Sequence, residues 1–417
     1  MMPGSIENPF KSFWMAGYEC TDQLNVHGDR VDFLHVTGHL DAIDMDYKLL
    51  GKFGIKTVRE GVRWSRVEVS PYRYNFQTLG RMLRSGKENG IQQIWDICHF
   101  GFPDDLTPLH PKFPDRFAAL CEAFLKFYKS FGFAEPLIVT PINEVSFISW
   151  LGGEVAATSP FCRRNGWEVK YALMQAYIKG IEAFKQIDPD TRILTTEPLV
   201  NITPPTEATM EQILDAAQVH ELQFQSLDML SGVICPELGG KPEYLDILGF
   251  NYYCSNQWVH SPYERLDWKE AGFDAQYKPL SELLQEAFDR YDRPFALTET
   301  SHYGAERPDW LRHVSDEVSK LISRNYPLWG VCLYPVLDRP DWDNLDDWHH
   351  SGLWDEPGRT LHLPSAVELA GRQLEIGAAL IRNTNRTEYN PDRTAPVTSA
   401  DNDIAAQYPS KYLSRKE

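Results

Sequence analysis

Two hydrophobic patterns alternate along the chain. Short runs that are apolar, β-branched or aromatic almost throughout occur at 13–20, 57–64, 91–100, 137–145, 192–202, 246–255, 295–304 and 328–337. Stretches within them such as Ile-Leu-Thr-Thr, Asp-Ile-Leu-Gly-Phe and Trp-Gly-Val-Cys-Leu-Tyr read as parallel strands buried on both faces. Between the runs, apolar residues return every three or four positions. The segment 114–131 repeats Phe117, Leu120, Cys121, Phe124 and Phe127, and 169–187 repeats Leu173, Ala176, Tyr177, Ile181 and Phe184. The same spacing at 41–53, 76–89, 210–230, 280–291, 308–325 and 366–381 predicts helices there.

Strand and helix thus alternate eight times. An α/β chain of this kind closes most economically into a single-domain (β/α)8 TIM barrel. A doubly wound open sheet is the competing architecture. It calls for a glycine-rich phosphate turn, and neither G-x-G-x-x-G nor G-x-x-x-x-G-K occurs. The expected layout is an N-terminal extension at 1–12, the barrel at 13–383 and a polar C-terminal tail at 384–417. Long loops follow strand 1 (21–40), strand 4 (146–166), strand 6 (256–279) and strand 8 (338–363). All four lie at the C-terminal ends of strands, where barrel active sites are built.

Charge narrows the partners. With 41 basic and 59 acidic residues in 417, the formal charge is −18. That argues against nucleic acid, an anionic membrane surface or a polyphosphate, and suits a small neutral ligand. No run of 18 apolar residues occurs, so no membrane span is expected, and the N-terminus lacks a signal-peptide pattern. The 7 cysteines are scattered without a C-x-x-C pair, as expected of free thiols in a cytoplasmic protein rather than of a disulfide framework or zinc site.

The chemistry lies at strand ends. Strand 4 closes in Thr-Pro-Ile-Asn143-Glu144 and strand 7 in Thr-Glu299-Thr. Two carboxylates facing one another across a barrel mouth are what glycosidic cleavage requires, one protonated for the leaving oxygen and one ionised to attack the anomeric carbon. Glu197, closing strand 5, is a third candidate, either as a substrate ligand or as a partner of Glu144. Glu60 is expected to pair with Arg63 or to face outward. A metal-dependent barrel enzyme using Glu144, Glu197, His99 and His302 is a rival reading, although no H-x-H or H-E-x-x-H occurs. A catalytically silent sugar-binding barrel is another.

These residues carry a resemblance. Asn143-Glu144, the Leu-Thr-Glu299-Thr strand end, Trp64-Ser65-Arg66-Val67, His99-Phe100-Gly101-Phe102-Pro103, Asn251-Tyr252-Tyr253 and Asp341-Trp342 occur in this order over roughly 13 to 355. In them the chain resembles the clan A retaining glycoside hydrolases, and family 1, the β-glucosidase family, most closely. Thr300-Ser301 stands where that family has Asn-Gly, and Val145 where it has Pro, as in a divergent branch. The resemblance implies Glu144 as acid/base and Glu299 as nucleophile. Arg59, Asn143 and Tyr253 would support them. Gln23, His99, Asp341 and Trp342 would contact the sugar, and Glu197 joins these candidates only by its place at the end of strand 5. It implies hydrolysis of a terminal neutral β-glucoside-like sugar by double displacement, a small carbohydrate partner, and neither metal nor cofactor.

Overall fold

In a computed structural model, which describes residues 7–384 except 357, strands form where the apolar runs predict them. They are β1 (Trp14–Gly17), β2 (Thr57–Gly61), β3 (Gln92–Cys98), β4 (Ile138–Ile142), β5 (192–198), β6 (Leu248–Asn251), β7 (Phe295–Thr300) and β8 (Leu328–Leu333). Every pairing among them is parallel. The first and last strands pair directly, Trp14 opposite Val331 and Ala16 opposite Leu333.

β5 completes the closure by changing partners. Its first half, Arg192–Ile193, pairs with β4, and its second half, Glu197–Pro198, pairs with β6. A cylinder of eight parallel strands results, the expected (β/α)8 barrel. The switch needs a glycine at Gly249, where a Cβ would meet the Thr195 carbonyl oxygen at 2.0 Å.

The alternating helices are α1 (His39–Gly51), α2 (Gln77–Asn89), α3 (Phe113–Lys129), α4 (Gly166–Ile187), α5 (Met210–Glu221), α6 (Leu280–Tyr291), α7 (Arg307–Ser323) and α8 (Leu363–Thr384). Helix α5 starts in a capping box of Thr209 and Gln212, and a 3-10 turn carries it into a second helix, Gln225–Ser231. The predicted 210–230 helix is therefore broken once. Phe117, Leu120, Cys121 and Phe124 of α3 are buried as their spacing requires. Burying each large apolar side chain of this kind contributes roughly 1.5–3 kcal/mol. A three-stranded sheet of 201–203, 257–259 and 264–265 joins the end of the 192–202 run to two strands within the predicted 256–279 loop.

The interior of the barrel is layered. Met15, Ile94, Ile138, Leu194, Ile247, Ala296 and Cys332 form an apolar plug, with Phe10 packed against it from the N-terminal extension. Two residues further along three of the strands, the inward positions become polar: Asp96, Thr140 and Thr298. This is the period of two of a β-strand, read along the barrel axis. The seven cysteines are all free thiols. Among the described residues, no helix is long and apolar enough to cross a membrane. Most of the predicted tail, 385–417, lies outside the described residues.

Candidate active site

Arg59 organises the polar end of the barrel. It points inward from β2 and has no solvent exposure. One guanidinium nitrogen donates to the Thr298 carbonyl at 2.9 Å and to Glu299 Oε1 at 2.8 Å. The other donates to Asp96 Oδ2 at 2.6 Å and to Asn143 Oδ1 at 3.0 Å. The face of Tyr334 lies 5.0 Å from the guanidinium. Burial works against this charge, but Asp96 and Glu299 outweigh it and hold the guanidinium firmly protonated.

Glu299 reaches the site through an irregularity in β7. Ala296 belongs to the inner plug, Leu297 to the outer layer, and Thr298 faces inward again, donating to Asn251 Oδ1 at 2.7 Å. Strict alternation would then send Glu299 outward. The register instead shifts there, both against β6 and against β8. Glu299 turns inward, and Thr300 meets Trp310 of α7 at 2.9 Å. Bulges of this kind commonly re-aim a side chain beside an active site. The second Glu299 oxygen accepts from the Tyr253 hydroxyl at 2.8 Å.

Glu144 stands in a different environment. It follows β4 in a left-handed conformation, φ 46° and ψ 59°. Its Oε1 accepts from Asn251 Nδ2 at 2.9 Å. Burial pushes its carboxyl well above the ordinary carboxylate range, and the neighbouring Glu299 and Glu197 push it further than Asn251 and Arg59 pull it back. One carboxylate thus receives a cation and a phenol, while the other is desolvated beside like charges.

Asn143 links these groups to His99. Its Oδ1 is taken by Arg59, so its Nδ2 donates to His99 Nε2 at 3.2 Å. That leaves the His99 proton on Nδ1, which faces Asp96 Oδ2 at 2.9 Å. Gln23 is buried, and its Oε1 has no partner among the described residues. Trp342 packs edge-on to Phe100 and Phe147, with ring centroids 5.7 and 6.1 Å away. Its indole N–H is buried and also without a partner among the described residues. A buried polar atom left in this state calls for a partner, which water or a ligand can supply.

Asp341 and Glu197, both expected at the site, hold backbone amides. Asp341 Oδ1 caps its own loop, accepting the backbone N–H groups of Asp343 at 2.8 Å and Asn344 at 3.1 Å. Glu197 accepts the backbone N–H groups of Val145 at 2.9 Å and Ser146 at 3.1 Å. Glu60 does not meet Arg63. It is buried under α1, 3.0 Å from His39 Nε2 and 2.6 Å from the Tyr47 hydroxyl, and Arg63 pairs with Asp32 at 2.7 Å.

The site also holds residues that motif reading left out. Asp96 and Tyr334 lie inside apolar runs, and Glu19 is buried at the end of the first. A carboxylate within so apolar a stretch is the signal by which Asp96 and Glu19 stand out. Among the described residues, Glu144, Glu197, His99 and His302 do not converge as a ligand set. The groups that do are Cys20, Asp96 and His99, and Asp338, His350 and Asp355. In the first, Arg59 already lies 2.6 Å from the shared Asp96 oxygen, which disfavours a cation there.

Comparison with solved structures agrees with this architecture. A β-glucosidase from Thermotoga maritima in complex with glucoimidazole superimposes with a TM-score of 0.67, at 17% identity over 80% of this chain and 88% of that one. The chain has the fold of the family 1 β-glucosidases. A β-glucosidase from Exiguobacterium marinum matches with a TM-score of 0.67, at 15% identity over 81% of this chain and 88% of that one. The AHE enzyme from Alicyclobacillus herbarius also gives 0.67, at 16% identity over 82% and 88%. No protein-family model and no curated protein matches the sequence.

Proposed function

We propose that the chain is a retaining β-glycosidase that removes a terminal, neutral, glucose-like sugar. The observation that carries this is the contrast between the two carboxyls. Glu299 accepts from Arg59 and Tyr253, whereas Glu144 is desolvated and drawn upward by neighbouring carboxylates. Unlike environments for paired carboxyls divide them into an ionised nucleophile and a protonated acid.

In the first step the Glu299 carboxylate attacks the anomeric carbon, and the glycosidic C–O bond breaks as Glu144 delivers its proton to the departing oxygen. In the second, Glu144 takes a proton from water, whose oxygen displaces Glu299 from the sugar. Glu144 is then protonated again and Glu299 is free. Asn143, held between Arg59 and His99, is positioned to meet the sugar 2-hydroxyl. The unpartnered Gln23 Oε1 and Trp342 N–H suit further hydroxyls.

A neutral sugar is favoured by charge. The loop after β8 carries Asp341, Asp343, Asp346 and Asp347 with Arg339 opposing them. A phosphorylated sugar would call for more cations. The long loops after β1, β4, β6 and β8 favour a pocket and hence cleavage of a terminal residue. The β-glucosidase names of the similar structures are in keeping with this reading.

The test is hydrolysis of 4-nitrophenyl β-glycosides by the wild type and by Glu299→Ala, with and without azide. Turnover that is lost in the variant and restored by azide, giving an α-glycosyl azide, supports the proposal. Equal traces of activity in both proteins, indifferent to azide, would overturn it.

A further inference from the structure

Thr196 and Glu197, at the end of β5, hold three successive backbone amides. The Glu144 N–H donates to the Thr196 carbonyl at 2.8 Å, the Val145 N–H to Glu197 Oε1 at 2.9 Å and the Ser146 N–H to Glu197 Oε2 at 3.1 Å. We infer that Glu197 is a positioning residue for Glu144, clamping the turn that carries the acid/base and keeping a negative charge beside it; this rests on the acid/base reading of Glu144 given above.

Three features support the inference. First, Glu144 occupies the left-handed region, which a residue with a Cβ adopts rarely unless its surroundings impose it. Glu197 supplies that constraint to the two amides that follow. Second, Glu197 is buried with both oxygens engaged, so little of it is left for a sugar. Third, α4 brings a compensating cation. Lys170 is buried near Glu197, donates to Gln225 at 2.9 Å, and is lowered to about 8 by burial. Tyr177 and Ser226 also face Glu197, and Lys170 and the Ser146 and Ser226 groups temper the upward push that burial gives it.

Glu144 is therefore faced by Glu299 from β7, Glu197 from β5, Arg59 from β2 and Asn251 from β6. Removing the Glu197 charge withdraws one of the two carboxylates that, after burial, push the Glu144 carboxyl upward. Removing its oxygens releases the turn. Both effects fall on proton donation to the leaving group and not on attack by Glu299.

The experiment compares kcat/KM for phenyl and 2,4-dinitrophenyl β-glucosides across pH, in the wild type, Glu144→Ala, Glu197→Ala and Glu197→Gln. Phenolate needs the acid to leave, and dinitrophenolate does not. Glu197→Ala should lose at least ~10-fold on the phenyl glucoside and stay within about 3-fold on the dinitrophenyl glucoside. Glu197→Gln, which keeps the side-chain volume if Ala fails to fold, should move the alkaline limb to lower pH, because Glu144 then gives up its proton more readily. Equal losses on both substrates with an unmoved limb, or no loss on either, would overturn the inference. Glu144→Ala should show the same leaving-group split more steeply. If it loses both substrates alike, the acid/base reading fails first and the role of Glu197 falls with it.

Discussion

Arg59 and Asp96 form an ion pair of 2.6 Å in which neither side chain has any solvent exposure. The same Asp96 oxygen faces His99 Nδ1 at 2.9 Å. Burial alone would raise the Asp96 carboxyl, but Arg59 and His99 outweigh it and hold the group below its ordinary value. Asp96→Asn should leave Arg59 under-compensated and cost about 3–5 kcal/mol of unfolding free energy, measured by denaturant titration. The pH sign follows from the depressed folded-state value. Asp96 contributes stability above its unfolded pKa and loses it as pH falls through the folded one. The variant should therefore lose less stability on acidification than the wild type.

His39 provides the opposite test, away from the site. It is buried between Asp46 at 2.7 Å and Glu60 at 3.0 Å, with Tyr18 stacked on its ring at 3.7 Å. Burial disfavours its charge, yet Glu60 and Asp46 prevail and raise it to about 9. A raised histidine contributes stability that is complete below its unfolded pKa and is lost as pH rises through the folded one. The His39 contribution to unfolding free energy should fall on the order of 3 kcal/mol between pH ~6 and ~9.5, and the difference between wild type and His39→Gln should show that slope.

Tyr253 gives a kinetic test of the Glu299 environment. Its hydroxyl donates to Glu299 Oε2 at 2.8 Å, and Phe would leave the ring in place. Tyr253→Phe should lower kcat/KM roughly 10- to 100-fold, the worth of one hydrogen bond to a charged group, with Tm nearly unchanged. A large fall in Tm with little kinetic effect would assign Tyr253 to packing instead.

Gly17 tests the support beneath Arg59. A Cβ there would meet the Tyr334 ring at 2.0 Å, and that ring covers the guanidinium. Gly17→Ala should cost about 1–3 kcal/mol of stability through overpacking. It should also reduce activity, because Tyr334 cannot keep its place over Arg59. Denaturant titration and kcat/KM on the same preparation check both effects.

Much of this was legible in the sequence because burial on both faces leaves a continuous apolar run. That is why all eight barrel strands, and the charged Glu144 and Glu299 that close two of them, stand out. The bulge before Glu299 did not, since alternation from Ala296 and Leu297 points Glu299 outward and the register shift depends on both neighbouring strands. Glu197 reads either as a substrate ligand or as a partner of Glu144, and the sequence does not decide between them because its contacts are backbone amides far away in sequence that carry no side-chain signal. Glu60 lies three residues from Arg63, but the pleat turns it toward His39 and Tyr47 on α1. Asp341 reads as a sugar ligand from its place after strand 8, and the sequence does not reveal that its Oδ1 also caps the loop through the Asp343 and Asn344 amides.

Double displacement of this kind requires Glu299 to form a covalent bond to the sugar. Incubation with 2,4-dinitrophenyl 2-deoxy-2-fluoro-β-glucoside, followed by peptide mapping, measures this most directly, because fluorine at C2 slows release of the sugar from the nucleophile. One fluoroglucosyl group per chain is expected, on Glu299, with loss of activity in step with labelling. A label on another residue, or none while the unfluorinated glucoside is hydrolysed, would contradict it.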